Sequence, residues 1–127
     1  MSRERFLLDS HILIWLDTGD PRLSTTVLHR LRNGQQRFLS AATAWELGLK
    51  QAAGKLHLRA SVGSMIETFG LLELPITIRH GDEAALLPLH HRDPVDRLLL
   101  AQAQLEGLLL VTSDRRLEAY GIPLLLV

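Results

Sequence analysis

The sequence of 127 residues predicts an α/β fold, a three-layer sandwich whose mostly parallel central sheet is flanked by helices. Three observations carry that expectation. Short apolar runs alternate with longer stretches of helical spacing, the pattern of βα units joined by right-handed crossovers. Leu108-Leu109-Leu110-Val111 is apolar without interruption, as in a central strand covered on both faces. Finally, Asp93-Pro94 opens a helix in which nearly every residue from Leu98 to Ala103 is apolar or small, so that helix is packed on most sides.

The elements follow in order. Arg5-Phe6-Leu7-Leu8 reads as a buried strand that stops at Asp9, and residues 10–16 as a helix capped by Ser10. Asp20-Pro21 opens a second helix running to about Arg32, closed at Asn33-Gly34 by a left-handed glycine. Residues 37–40 form a second strand, and residues 41–53 a helix ended by Gly54. Trp45, Leu49 and Ala52 share one face of that helix, with Glu46 about a turn and a half in. Residues 61–70 make another helix, with Met65, Ile66 and Phe69 as its apolar side.

Leu72-Glu73-Leu74 is a third strand ended by Pro75, and a helix beginning near Thr77 carries Ala84, Ala85 and Leu87. The loop at residues 88–92 then delivers the chain to Asp93 as N-cap and Pro94 as first helical residue. Proline suits that position because its φ is already helical and the N–H it lacks goes unpaired in a first turn. Asp96 therefore falls at the third helical position, facing the positive end of the helix dipole. After Gly107 the central strand runs to Thr112-Ser113-Asp114, a short helical turn follows, and residues 123–127 supply the last strand.

One domain, residues 1–127, accommodates these elements, and a chain of this length buries roughly two thirds of its unfolded surface. Hydrophobic residues make up 46% and charged residues 22%, an ordinary globular composition. The absence of cysteine excludes disulfides, iron–sulfur clusters and thiolate zinc sites. The six histidines lack metal-ligand spacing, and His90-His91 read as two loop residues that point apart. No apolar run approaches the ~18–20 residues of a membrane span, and the N-terminus leads into a strand, not a signal sequence. A cytoplasmic protein without membrane contact is the expectation. The net charge of zero offers no bulk attraction for nucleic acid, although four acids gathered in one pocket would leave 14 basic residues against ten acids elsewhere.

Asp9 and Asp114 both end apolar strands, so in a parallel sheet they project from the same edge, where ligands of such folds bind. Asp96 heads the helix leading into the strand before Asp114, and Glu46 lies on a helix leaving that edge. Four converging carboxylates repel one another and call for a divalent cation, and an all-oxygen ligand set favours Mg²⁺ or Mn²⁺. Such a site polarises a phosphodiester and activates water, with Asp9, Glu46, Asp96 and Asp114 as ligands and Thr112 and Ser113 orienting water or a carboxylate. Arg97, Arg115 and Arg116 are candidates for holding phosphates of the nucleic-acid backbone. The apolar segments 12–16 and 44–49 are either core or a groove for a partner.

Leu7-Leu8-Asp9-Ser10-His11, Ser40-Ala41-Ala42-Thr43-Ala44-Trp45-Glu46 with Lys50 and Gly54-Lys55-Leu56, His91-Arg92-Asp93-Pro94-Val95-Asp96-Arg97 with Ala101-Gln102-Ala103, and Val111-Thr112-Ser113-Asp114 with Tyr120 occur in that order over nearly the whole chain. Together they closely resemble the PIN-domain toxins of the VapC type. The resemblance implies a PIN-like sandwich and a metal-dependent endoribonuclease of a bacterial toxin–antitoxin pair. It matches Asp9, Glu46, Asp96 and Asp114 to the family's acidic residues and Thr112 to its nearby hydroxyl. Ser10 and Lys50 join the RNA-binding candidates. A homodimer and a small cognate VapB-type antitoxin are implied as well. Ser10 stands where threonine is common and Val95 where phenylalanine is frequent, and neither change removes a metal ligand.

Two other functions fit parts of the chain. A catalytically silent PIN-like protein would bind RNA or a partner only, which four intact acids argue against. A receiver-like phosphoacceptor module needs a lysine after its last strand, and the last lysine here is Lys55.

Overall fold

In the computed structural model, which describes residues 2–127, the apolar runs form the strands β1 (Arg5–Leu8), β2 (Gln36–Ser40), β3 (Leu72–Leu74), β4 (Leu109–Thr112) and β5 (Leu124–Leu126). Every pairing is parallel, and the order is β3-β2-β1-β4-β5. Between them lie α1 (Ser10–Thr18), α2 (Thr25–Asn33), α3 (Ala41–Ala52), α4 (Val62–Thr68), α5 (Ile78–Leu86) and α6 (Pro94–Glu106), with a 3-10 helix at Arg115–Tyr120. No helix of the described residues is long and apolar enough to cross a membrane.

Side chains alternate across a strand, and the alternation divides the core in two. Phe6, Leu8 and Val111 point to the face covered by Ile12 and Leu13 of α1, Leu31 of α2 and Met65 of α4. Leu7 and Leu110 point to the other, where Val95, Leu99 and Leu100 of α6 pack, with α5 lying along α6. Helix α3 sends Leu47 to the first cluster and Ala42 to the second. Phe6, Leu7 and Leu8 are all fully buried, each contributing about 1.5–3 kcal/mol, so β1 is the axis of the molecule.

From β1 the chain moves outward through β2 to β3, then crosses to the opposite side of β1 for β4 and β5. Connections therefore leave the β1/β4 seam in opposite directions, which opens a crevice at its carboxyl end. Asp9 follows Leu8 at that seam, its N–H donating to the Val111 carbonyl at 3.1 Å.

Three local expectations are corrected. The cap of α1 is Asp9, not Ser10: Asp9 is the last extended residue and its Oδ1 accepts from Ile12 N at 3.1 Å, while Ser10 is already helical. The second helix begins at Thr25, because Arg22 occupies the Asp20 carboxylate through both backbone and guanidinium and Ser24 supplies the cap instead. Gly34 is extended, with φ −66° and ψ 158°. Glycine is needed there for space, since a Cβ would run into the Phe6 ring. Left-handed glycines close other helices instead, Gly19 at φ 65° after α1 and Gly107 at φ 66° after α6.

Candidate active site

The crevice holds a cleft of about 570 Å³ lined by Asp9, Ser10, His11, Glu46, Lys50, Asp93, Asp96, Ser113, Asp114, Arg115 and Arg116. The four acids expected to converge therefore share one cleft. Each arrives by a local device. Asp9 caps α1 from the end of β1, and Glu46 stands on the α3 helix that Ser40 caps at the end of β2. Asp93 Oδ1 accepts from the N–H groups of Val95 and Asp96 at 2.9 and 3.0 Å, starting α6 so that Asp96 faces the cleft. Thr112, fully buried at the end of β4, accepts from Asp114 N at 3.1 Å and sets the turn that presents the Asp114 carboxylate.

The two flanks differ electrostatically. Burial pushes the Asp9 carboxyl up, against the opposing pull of hydrogen bonds from Thr112 and the Ile12 N–H. Burial also pushes Asp96 up, opposed by its bond to His91 and reinforced by the charges of Asp93 and Asp9. Asp114 is held down, chiefly by Arg116, whose Nη2 and Nε reach its Oδ2 and Oδ1 at 2.7 and 3.0 Å. Mutually close, desolvated carboxylates favour a bound cation.

The carboxylates do not all close on one point. Among the described residues, the metal-competent trio is His91, Asp96 and Asp114, with one donor atom from each lying within 4.8 Å of the others. Asp9 and Glu46 line the cleft around it. His91, read as an ordinary loop histidine, turns its Nε2 to Asp96 Oδ2 at 2.7 Å, and its side chain is only 10% exposed. The sequence signal available for it was its place five residues before Asp96, in the segment that delivers α6.

Of the basic candidates, Arg115, Arg116 and Lys50 line the cleft with Ser10, but Arg97 does not. Arg97 is 8% exposed and turned inward, its guanidinium donating to the carbonyls of Ala84, Leu87, Pro88 and His91 at 2.7–3.2 Å. It ties down the 88–92 loop and is not a phosphate contact. Tyr120 assists, accepting from His91 N and donating to the Pro88 carbonyl, both at 2.9 Å.

The apolar segments divide as well. Ile12, Leu13 and Trp15 are core, and the edge of Trp15 joins the part-buried Leu16, Leu28 and Phe69 in walling a groove of about 520 Å³ bordered by Arg32 and Arg37. Trp45 and Leu49, 62% and 51% exposed, are not core and do not line that groove.

The PIN domain family matches residues 6–123 of this chain. Ribonuclease VapC22 of Mycobacterium tuberculosis is 30% identical over 120 residues, which cover 92% of each protein. Among solved structures, VapBC2 from Rickettsia felis bound to a DNA fragment from its promoter aligns at 16% identity and a TM-score of 0.71, covering 95% of this chain and 97% of that one. DNA-bound VapBC from Salmonella typhimurium aligns at 19% identity and a TM-score of 0.72, covering 96% and 97%. At these identities the two structures speak for the fold.

Proposed function

This chain belongs to the PIN domain family, and on that premise we propose that it is a divalent-metal-dependent endoribonuclease, the toxin of a toxin–antitoxin pair. The observation that carries the reading is the gathering of Asp9, Glu46, Asp96 and Asp114 around one cleft at the switch point of the sheet. The residues fit a metal: four carboxylates line the one cleft, two of them raised by burial, with no thiol among them. Asp9, Asp96, Asp114 and Glu46 would hold Mg²⁺ or Mn²⁺. When bound, such an ion draws charge from a phosphodiester and acidifies attacking water.

The remaining work falls to the chain itself. Thr112 opposes the effect of burial on the Asp9 carboxyl and sets the turn of Asp114, and Asp93 fixes the first turn that carries Asp96. Arg116 keeps Asp114 ionised, and each carboxylate oxygen retains a lone pair beyond those the guanidinium uses. Ser10, Lys50 and Arg115 border the cleft where the RNA backbone would pass, and we assign them phosphate contacts. With acids and bases lining the same cleft, a silent binding role is the weaker reading.

The purified protein should cleave RNA when supplied with Mn²⁺ or Mg²⁺ and stop on chelation. Attack by water should leave 5′-phosphate and 3′-hydroxyl ends. Cyclic phosphate ends, or cleavage that survives complete chelation, would refute the mechanism. The reading includes a homodimer and a small VapB-type antitoxin. The groove of Trp15, Leu16 and Leu28 beside Arg32 and Arg37 suits an antitoxin segment with apolar anchors and an acidic flank.

A further inference from the structure

We propose that His91 is a direct nitrogen ligand of the divalent ion in this cleft, so that the donor set is mixed and selects Mn²⁺-like transition ions over Mg²⁺. The proposal deepens the nuclease reading and rests on it. Around an octahedral ion with bonds of about 2.1 Å, neighbouring donors lie ~3 Å apart and opposite donors ~4.2 Å. His91 Nε2 and Asp96 Oδ2, 2.7 Å apart, already have nearly the spacing of neighbouring ligands. The donor atoms of the trio with Asp114 lie within 4.8 Å of one another, little beyond the ~4.2 Å that separates opposite ligands of one ion.

The imidazole is also built into place. Its loop backbone is held from two sides, His91 N donating to Tyr120 Oη at 2.9 Å and His91 O accepting from Arg97 Nη1 at 3.2 Å. Arg97 and Tyr120 come from α6 and from the 3-10 helix after β4, the elements that also deliver Asp96 and Asp114. With its side chain 10% exposed, His91 has little freedom left to lose on coordinating. Binding exchanges one bond for two: the neutral imidazole carries its proton on Nδ1, and the ion accepts one lone pair from Nε2 and one from Oδ2. Imidazole raises affinity along the series from Mn²⁺ upward, whereas Mg²⁺ prefers carboxylate and water, so the nitrogen donor sets the preference.

The test is pulsed electron paramagnetic resonance on the full chain loaded with Mn²⁺ alone, with RNA absent. The wild type should show the ¹⁴N modulation of one directly bound imidazole, missing from both His91→Ala and His91→Gln. By titration, His91→Ala should lose about tenfold or more in Mn²⁺ affinity, and far less in Mg²⁺ affinity measured by competition. A wild-type spectrum with bound Mn²⁺ but no directly bound nitrogen overturns the ligand role and leaves the nuclease reading standing. So does full recovery of Mn²⁺ affinity in His91→Gln, whose amide can keep the bond to Asp96, because His91 would then only position that carboxylate. Failure of the wild type to bind any divalent ion overturns both readings. Should His91→Ala fail to fold, the wild-type spectrum decides alone.

Discussion

The two flanks of the cleft are made of the same residue type and behave in opposite ways. On the inner flank, Asp9 and Asp96 sit where β1 and α6 meet the core, and burial raises both carboxyls. On the outer flank, Asp114 stands on the turn after β4, paired with an Arg116 side chain that is 71% exposed, and is held low. An aspartate at a strand end is thus no fixed chemical object. Its depth decides whether it needs a cation from outside the protein or already has one from within. The inner flank lowers the stability of the metal-free fold and favours metal binding, while the outer flank is almost neutral to stability.

The largest expected effect comes from breaking the inner flank. Asp96→Asn removes a charge and almost no volume, and cleavage should fall by more than the roughly 10–100-fold lost with an outer-shell partner. The same variant, melted without metal, should be at least as stable as the wild type, because a desolvated charge is gone. A clear loss of melting temperature would place Asp96 among the stabilising residues and collapse the contrast.

Acid titration sharpens the comparison. Asp9 and Asp96 have raised pKa values in the folded chain, so each weakens the fold above its folded pKa, and that penalty fades as the pH drops toward the unfolded value near 3.9. Asp114 is lowered, so its contribution is present above about 3.9 and is lost only as the pH falls further, through its folded pKa. Lowering the pH from neutral toward the unfolded value near 3.9 without metal should therefore stabilise the wild type relative to Asp96→Asn, a difference that saturating Mn²⁺ removes. Parallel melting curves for the two proteins across that range would contradict it.

The smallest effects belong to residues that only shape the flanks. Asp93→Asn should be nearly silent, since asparagine caps about as well as aspartate, whereas Asp93→Ala should lose ~0.5–2 kcal/mol in denaturant unfolding and stay partly active. Arg116→Ala breaks an exposed, solvent-screened pair and should leave the melting temperature almost unchanged. If Asp93→Asn proves as inactive as Asp96→Asn while folded, the division between cap and ligand is wrong.

Much of this was legible beforehand. The alternation of elements, the Asp93-Pro94 start and the placement of Asp9 and Asp114 at strand ends depend on neighbours within a few residues, and all appear in the structure. The errors were also local but of another kind: at residues 9–10, 20–24 and 34, several capping or turn residues stood side by side. Which of them served depended on competing partners such as Arg22 and on the Phe6 ring packed against Gly34.

By itself, then, the sequence determined the order of helices and strands, that the acids would share one sheet edge, and that the edge would carry charge. These follow from short-range sterics, capping and hydrophobic spacing, together with the single hand of the crossover. Only the tertiary structure decided that Arg97 turns inward to hold a loop, that His91 meets Asp96 beside the cleft, and that Trp45 stays outside the core. Those outcomes depend on what packs over each residue, and the packing partners come from distant parts of the chain. Arg97 finds its acceptors in residues 84–91 because α5 and the loop after it fold back over α6. That fold-back satisfies carbonyls that would otherwise be left unpaired on burial, and no local pattern around Arg97 announces it.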